Sequence, residues 1–165
     1  MALITKLAER LIMRVGCSRQ PDKIIPDKGS TYLRRWFLIP KNPFINVYLH
    51  QFLRSDDDRA SHDHPWLFNA SLLLQGQYVE HTIRAGGIEV QTRRQAGQFK
   101  LRFGPAPHRI RLLTTAELDP TKPEDRTEWF CWTLFITGPV VRDWGFHCSK
   151  GWRPSRGFSK RGCGQ

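Results

Sequence analysis

Ser61-His62-Asp63-His64-Pro65-Trp66, read with Gly104-Pro105-Ala106-Pro107-His108, is the part of the chain that decides the fold. His62 and His64 stand two apart, so an extended backbone points both imidazoles to one side and Asp63 to the other. Such a pair can hold one metal ion, because neutral imidazole ligates without losing a proton. His108 heads a second strand-like run and supplies a third ring. Three imidazoles leave positions on an ion open for water, dioxygen or substrate, as a catalytic centre requires. Ligand type alone admits Fe(II), Zn, Ni, Mn or Cu. A barrel whose histidines only hydrogen-bond their own loops is the competing reading.

Outward from this stretch the chain reads as strands. Phe44 to Leu53 carries Ile45, Val47, Leu49, Gln51 and Leu53 on one side and Phe44, Asn46, Tyr48, His50 and Phe52 on the other. Both sides are largely apolar, which suits a strand in a closed or sandwiched sheet, with His50 in the core or a pocket wall. Tyr32–Ile39, Leu67–Leu74, Gln77–Ile83, Ile88–Arg93, Phe99–Phe103, His108–Leu113 and Glu128–Thr137 read as further strands. Turn signals at Gln75-Gly76, Ala85-Gly86-Gly87, Gln95-Ala96-Gly97 and Gly138-Pro139 separate them. Short strands so punctuated predict an all-β barrel or sandwich.

The flanks differ. From Ala2 to Val15, Leu3, Ile4, Leu7, Leu11, Ile12 and Val15 recur at helical spacing, which predicts an amphipathic helix ended by Gly16 as C-cap. That helix suits packing on the domain or dimerisation; an interfacial membrane helix and a targeting peptide are the alternatives. Gln20 to Ser30 reads as a loop, and Arg54 to Ala60 as an acidic one. Lys150 to Gln165 is Gly- and Arg-rich and predicts a flexible basic tail. The expected organisation is residues 1–30 for helix and linker, 31–149 for the barrel and 150–165 for the tail.

At 165 residues, one domain with its own core is expected. No apolar run reaches the roughly 18 residues of a membrane-spanning helix, and the N-terminus lacks a secretory pattern, so a cytoplasmic protein is expected. On that compartment argument Cys17, Cys131, Cys148 and Cys163 are expected to be reduced. His147-Cys148 has no neighbour at ligand spacing. The net charge of +11 is concentrated between Arg84 and Arg111, and again after Lys150. It fits either a solvated surface or contact with a polyanion.

The order His62-x-His64, Gly76, Gly97, His108 resembles the two signature motifs of the cupin superfamily. The resemblance covers roughly Phe44 to Thr137. It implies a small antiparallel jelly-roll barrel holding a metal through an HxH pair, a glutamate and a later histidine. The glutamate position falls at Asn69, and Leu67, Phe68 and Ala70 are not acidic either. The resemblance therefore implies a three-histidine site of His62, His64 and His108, similar to the iron sites of thiol dioxygenases. Fe(II) is the favoured divalent metal, with Zn, Ni and Mn as alternatives. His-Asp-His-Pro-Trp, followed by Gly-x-Tyr-x-Glu, Pro-His-Arg-Ile and Ile-Thr-Gly-Pro, is similar to uncharacterised cupin-like proteins of bacteria and their phages.

Two functions follow as expectations. One is a non-haem Fe(II) dioxygenase acting on a small molecule. The other is a non-catalytic ligand-binding, structural or regulatory module whose basic surface meets a polyanion or partner protein. A metal-free isomerase is a weaker third, by analogy of fold. Tyr78, Arg102 and Trp132 are candidate lining residues of the barrel mouth, where small ligands bind. Asp63 and Asn69 are candidate outer partners of the ligand histidines. His81, beside Glu80, is expected to be exposed or hydrogen-bonded, and a homodimer is expected through the N-terminal helix or an edge strand.

Overall fold

Alternation of apolar side chains sets the strands, and the glycines set where they turn. The computed structural model describes residues 2–27, 29–56, 60–156, 158 and 163. In chain order it places α1 (Ala2–Leu11), β1 (Lys23–Asp27), β2 (Ser30–Phe37), β3 (Asn46–Phe52), β4 (Ser61–His62), β5 (Phe68–Gln75) and β6 (Gln77–Ile83). Then follow β7 (Glu89–Gln95), β8 (Phe99–Phe103), β9 (His108–Leu112), α2 (Thr115–Leu118), β10 (Cys131–Thr137), β11 (Gly145–Cys148) and β12 (Gly151–Pro154). They form two antiparallel six-stranded sheets, ordered β1-β2-β3-β10-β5-β8 and β12-β11-β4-β9-β6-β7. The jelly-roll expectation holds: from β3 to β11 the chain passes repeatedly between the sheets, only β6 and β7 following one another in the same sheet, and the two inner faces meet. Leu33, Phe52, Leu73 and Cys131 from the first sheet pack there on Tyr78, Ile110 and Leu112 from the second.

The two apolar faces of β3 have separate causes. Its inner row faces this core, whereas Leu49 on the outer row joins Trp36 and Trp132 beneath the N-terminal helix. Ile12, Leu11 and Val15 close over those tryptophans, so the helix packs on its own barrel. The side chains of Leu3 and Ile4, part of the expected stripe, lie outside the described residues. After Leu11 the helix widens into a π turn, Ile12–Gly16. Gly16 is no left-handed cap: a Cβ there would stand 2.4 Å from Trp132 Cη2, so the residue serves close approach.

Three expectations are corrected. Gln20–Ser30 is not all loop, because β1 pairs with β2; Pro26 is tolerated at an edge strand with a bulge between Ile25 and Pro26. Lys150–Pro154 is not wholly a flexible tail, because β12 pairs with β11. The remainder, residues 157, 159–162, 164 and 165, lies outside the described residues, as do Asp57 and Asp58 of the acidic loop. Finally, Cys148 and Cys163 form a disulfide, against the expectation of reduced thiols, while Cys17 and Cys131 are free. No described helix is long and apolar enough to cross a membrane.

Candidate metal centre

The antiparallel pairing of β4 with β9 sets His62 opposite His108. His64 lies just past β4, where its N–H donates to the Gly104 carbonyl at 2.9 Å and the Gly104 N–H donates to Leu67 at 3.1 Å. That crossing is too tight for a side chain, since a Cβ on Gly104 would sit 2.1 Å from the Trp66 carbonyl oxygen. The Gly104 loop and the His62–Trp66 segment therefore interlock, and the two sequence motifs meet. One ring nitrogen from each of His62, His64 and His108 lies within 4.8 Å of the others, the only such cluster of potential ligands among the described residues. The ring centroids stand 5.1 to 5.2 Å apart.

His64 Nε2 and His108 Nε2 are 2.9 Å apart. These two nitrogens, with one from His62, would hold an ion. Burial first, then the neighbouring positive charges, holds both rings well below the ordinary imidazole range, so they are neutral and ligand-competent at pH 7. The residues present thus fit a divalent ion with no carboxylate among its ligands.

Beside the centre lies the carboxylate of Glu80 in β6, which sequence reasoning missed. It is fully buried, lies 3.8 Å from His108 Nδ1, and is gripped by Arg102 and by Arg94 at 2.9 Å. The separation from His108 is too long for a hydrogen bond, yet His108 Nδ1 has no other partner. Glu80 is thus the group toward which a ring ligating through Nε2 turns its N–H. The available signal was a lone acid at i+2 from Tyr78, on the inward row of a strand.

The histidines line a cavity of about 570 Å³ between the sheets. Tyr78 and Arg102 line it, and so do Arg35, His50, Trp66 and Phe135. Burial raises the Tyr78 hydroxyl above its ordinary value, keeping it protonated. Trp132 is not in this cavity but beneath the N-terminal helix, because its strand neighbour Cys131 takes the inner face. Asp63 touches none of the three ligand histidines. It accepts hydrogen bonds from the Gly145 N–H at 2.7 Å, His147 at 3.2 Å and Trp152 at 3.0 Å, and pairs with Arg142 at 2.9 Å. Its role is to pin β11 and β12 beside the centre. Asn69 is fully buried with its amide unpaired and bonds no ligand histidine. His81 is buried, with Nδ1 2.8 Å from Glu89, so it is hydrogen-bonded rather than exposed.

No family model matches the chain, and no curated protein does. Solved structures do. Fe(II)-HppE with the alternative substrate (S)-1-HPP aligns with TM-score 0.50 and 12% identity, over 72% of this chain and 58% of that one. Oxalate oxidase in complex with the substrate analogue glycolate aligns with TM-score 0.50 and 9% identity, over 78% of this chain and 62% of that one. An uncharacterized conserved protein with a double-stranded beta-helix domain from Klebsiella pneumoniae aligns with TM-score 0.48 and 15% identity, over 74% and 89%. This chain spans about three fifths of the length of the first two. With two facing antiparallel sheets and the histidines between them, the chain has the cupin fold.

Proposed function

We propose that His62, His64 and His108 hold one divalent transition metal, with Fe(II) favoured, and that the protein is a dioxygenase acting on a small molecule bound in the adjoining cavity. The observation that carries this reading is the convergence of three imidazoles, His108 buried and His62 and His64 half-buried, in the lining of a cavity of about 570 Å³ that also has aromatic walls. When bound, iron would supply the affinity for dioxygen that the side chains lack. The chain's own residues do the rest. Glu80 orients His108, Trp66 and Phe135 exclude water, and the Tyr78 hydroxyl keeps a proton available at the cavity wall. Iron-loaded protein is expected to consume oxygen when supplied with a fitting substrate, and His62→Ala is expected to abolish this; oxygen uptake unchanged in the variant would contradict the reading.

A second reading is a ligand-binding module without metal. It is favoured by one observation: at 2.9 Å, His64 and His108 can also satisfy each other as neutral donor and acceptor. Ligand binding with no metal uptake would select it. Its polyanion version is weakened, because four of the seven basic residues from Arg84 to Arg111 are ion-paired within the fold. For the homodimer, edge strand β8 is the proposed contact, with Phe99, Leu101 and Phe103 exposed. Sedimentation velocity of Leu101→Lys tests it, a monomer being the expected result if the native chain is a dimer.

A further inference from the structure

We propose that Arg35 and His50 form an anion subsite in the cavity, beside the three histidines, that takes the carboxylate of a small-molecule ligand. The inference names the ligand class of the same cavity and rests on reading that cavity as a small-molecule site.

Arg35 of β2 lies opposite His50 of β3, and both face inward. Arg35 Nε donates to His50 Nε2 at 2.8 Å. A guanidinium can only donate, so Nε2 is the acceptor and the imidazole proton sits on Nδ1. That Nδ1–H is buried without a partner, on a residue 2% exposed that lines the cavity. The ring is fixed by stacking on Phe135 at 5.0 Å and Tyr48 at 5.7 Å between centroids. Its Nδ1 is sealed from the cavity, so the ring serves the subsite through Nε2, by holding the Arg35 guanidinium in the wall.

The demand for an anion is made by Arg35. Arg94, Arg102, Arg109 and Arg111 each pair with a glutamate, whereas among the described residues Arg35 has no carboxylate partner. It lies 4.7 Å over the Tyr48 ring, and its Nε is committed to His50. The two terminal nitrogens remain, and their fork matches a planar carboxylate. Asp56, the acid of the cavity wall, is already occupied by the Tyr32 hydroxyl and by the Ile110 N–H at 2.6 Å. Arg102 already meets Glu80, which it shares with Arg94, and the lining cation Lys23 is exposed. Arg35 is thus the half-buried cation of the cavity wall that has no carboxylate among the described residues. Phe52, Phe135, Phe146 and Trp66 surround the remaining space, so the ligand carries an apolar or aromatic body behind its carboxylate.

The test is calorimetric titration of the full chain with 3-phenylpropionate and its neutral amide, once after chelator treatment and once after metal loading. The carboxylate is expected to bind about tenfold more tightly than the amide, the scale of one charge-assisted contact. Arg35→Gln is expected to erase that preference without altering metal content, while Arg34→Gln, an exposed neighbour on the outer face, keeps it. Should Arg35→Gln fail to fold, the preference of the native protein decides alone. Equal binding of the two probes, binding of neither, retained preference in Arg35→Gln, or displacement by inorganic phosphate at equal concentration would overturn the inference. A carboxylate preference in a chain that takes up no metal would sink the metal reading and leave this one standing.

Discussion

Glu80 is the residue on which the buried electrostatics turn. It carries one negative charge, fully buried, against Arg94 and Arg102, and stands 3.8 Å from His108. Removing one partner of a buried pair leaves the other charge uncompensated, so Glu80→Gln is expected to destabilise the protein by about 3 kcal/mol. It should also weaken metal binding by about tenfold through His108. Urea unfolding and a metal titration check the two effects; a variant as stable as the native chain would contradict the account. The histidines give the pH dependence. His50, His64 and His108 are held well below 6.5, in each case chiefly by burial. Below about pH 6.5 the unfolded chain binds protons that the folded chain refuses, so folding stability is full above that pH and falls as pH drops toward the folded values. The metal-free protein should lose up to about 1.4 kcal/mol per pH unit for each such histidine. Flat unfolding midpoints from pH 7 to 5 would contradict this.

At the scale of elements, the site depends on how two loops cross. Gly104 passes under Trp66 so closely that a Cβ would meet the carbonyl oxygen at 2.1 Å, and its own carbonyl accepts the His64 N–H. Gly104→Ala should therefore cost about 1–3 kcal/mol and displace His64, lowering metal affinity. Gly97→Ala is the contrast: at φ +90° it is strained, yet nothing stands within 4 Å, so stability should fall by about 1–2 kcal/mol with metal affinity unchanged. Thermal unfolding with metal titration separates the two, and equal metal affinity in both variants would contradict the crossing argument. The same elements show what local sequence reveals. β6 and β8 fall at Gln77–Ile83 and Phe99–Phe103 as read, because the glycines at 76, 86, 87 and 97 mark the turns that bound them, although β8 buries Arg102 and exposes Phe99, Leu101 and Phe103. β1 and β12 escape such reading, since Pro26 and the Gly- and Arg-rich run of residues 150–157 are loop signals until a neighbouring strand pairs with them.

Across the whole molecule, the two sheets bring together residues far apart in the chain. His62 and His108 were legible because both motifs state their own chemistry. Arg35, His50 and Glu80 were not recognised as a site, because an arginine or glutamate in a strand shows its worth only once its partners are known. The disulfide was hidden for the same reason: Cys148 and Cys163 are 15 residues apart, with no recognisable spacing. The net charge of +11 likewise gave no warning that so much of its central cluster is paired within the fold. What would unite these parts is the proposed metal, and the most direct measurement is elemental analysis of the untagged protein beside His108→Ala, with circular dichroism on both. The account predicts about one transition metal per chain in the native protein, the stoichiometry of a single three-ligand site, and its loss from a variant that keeps its β signature. A native protein that refuses added Fe(II), or a variant that holds metal at full stoichiometry, would contradict it.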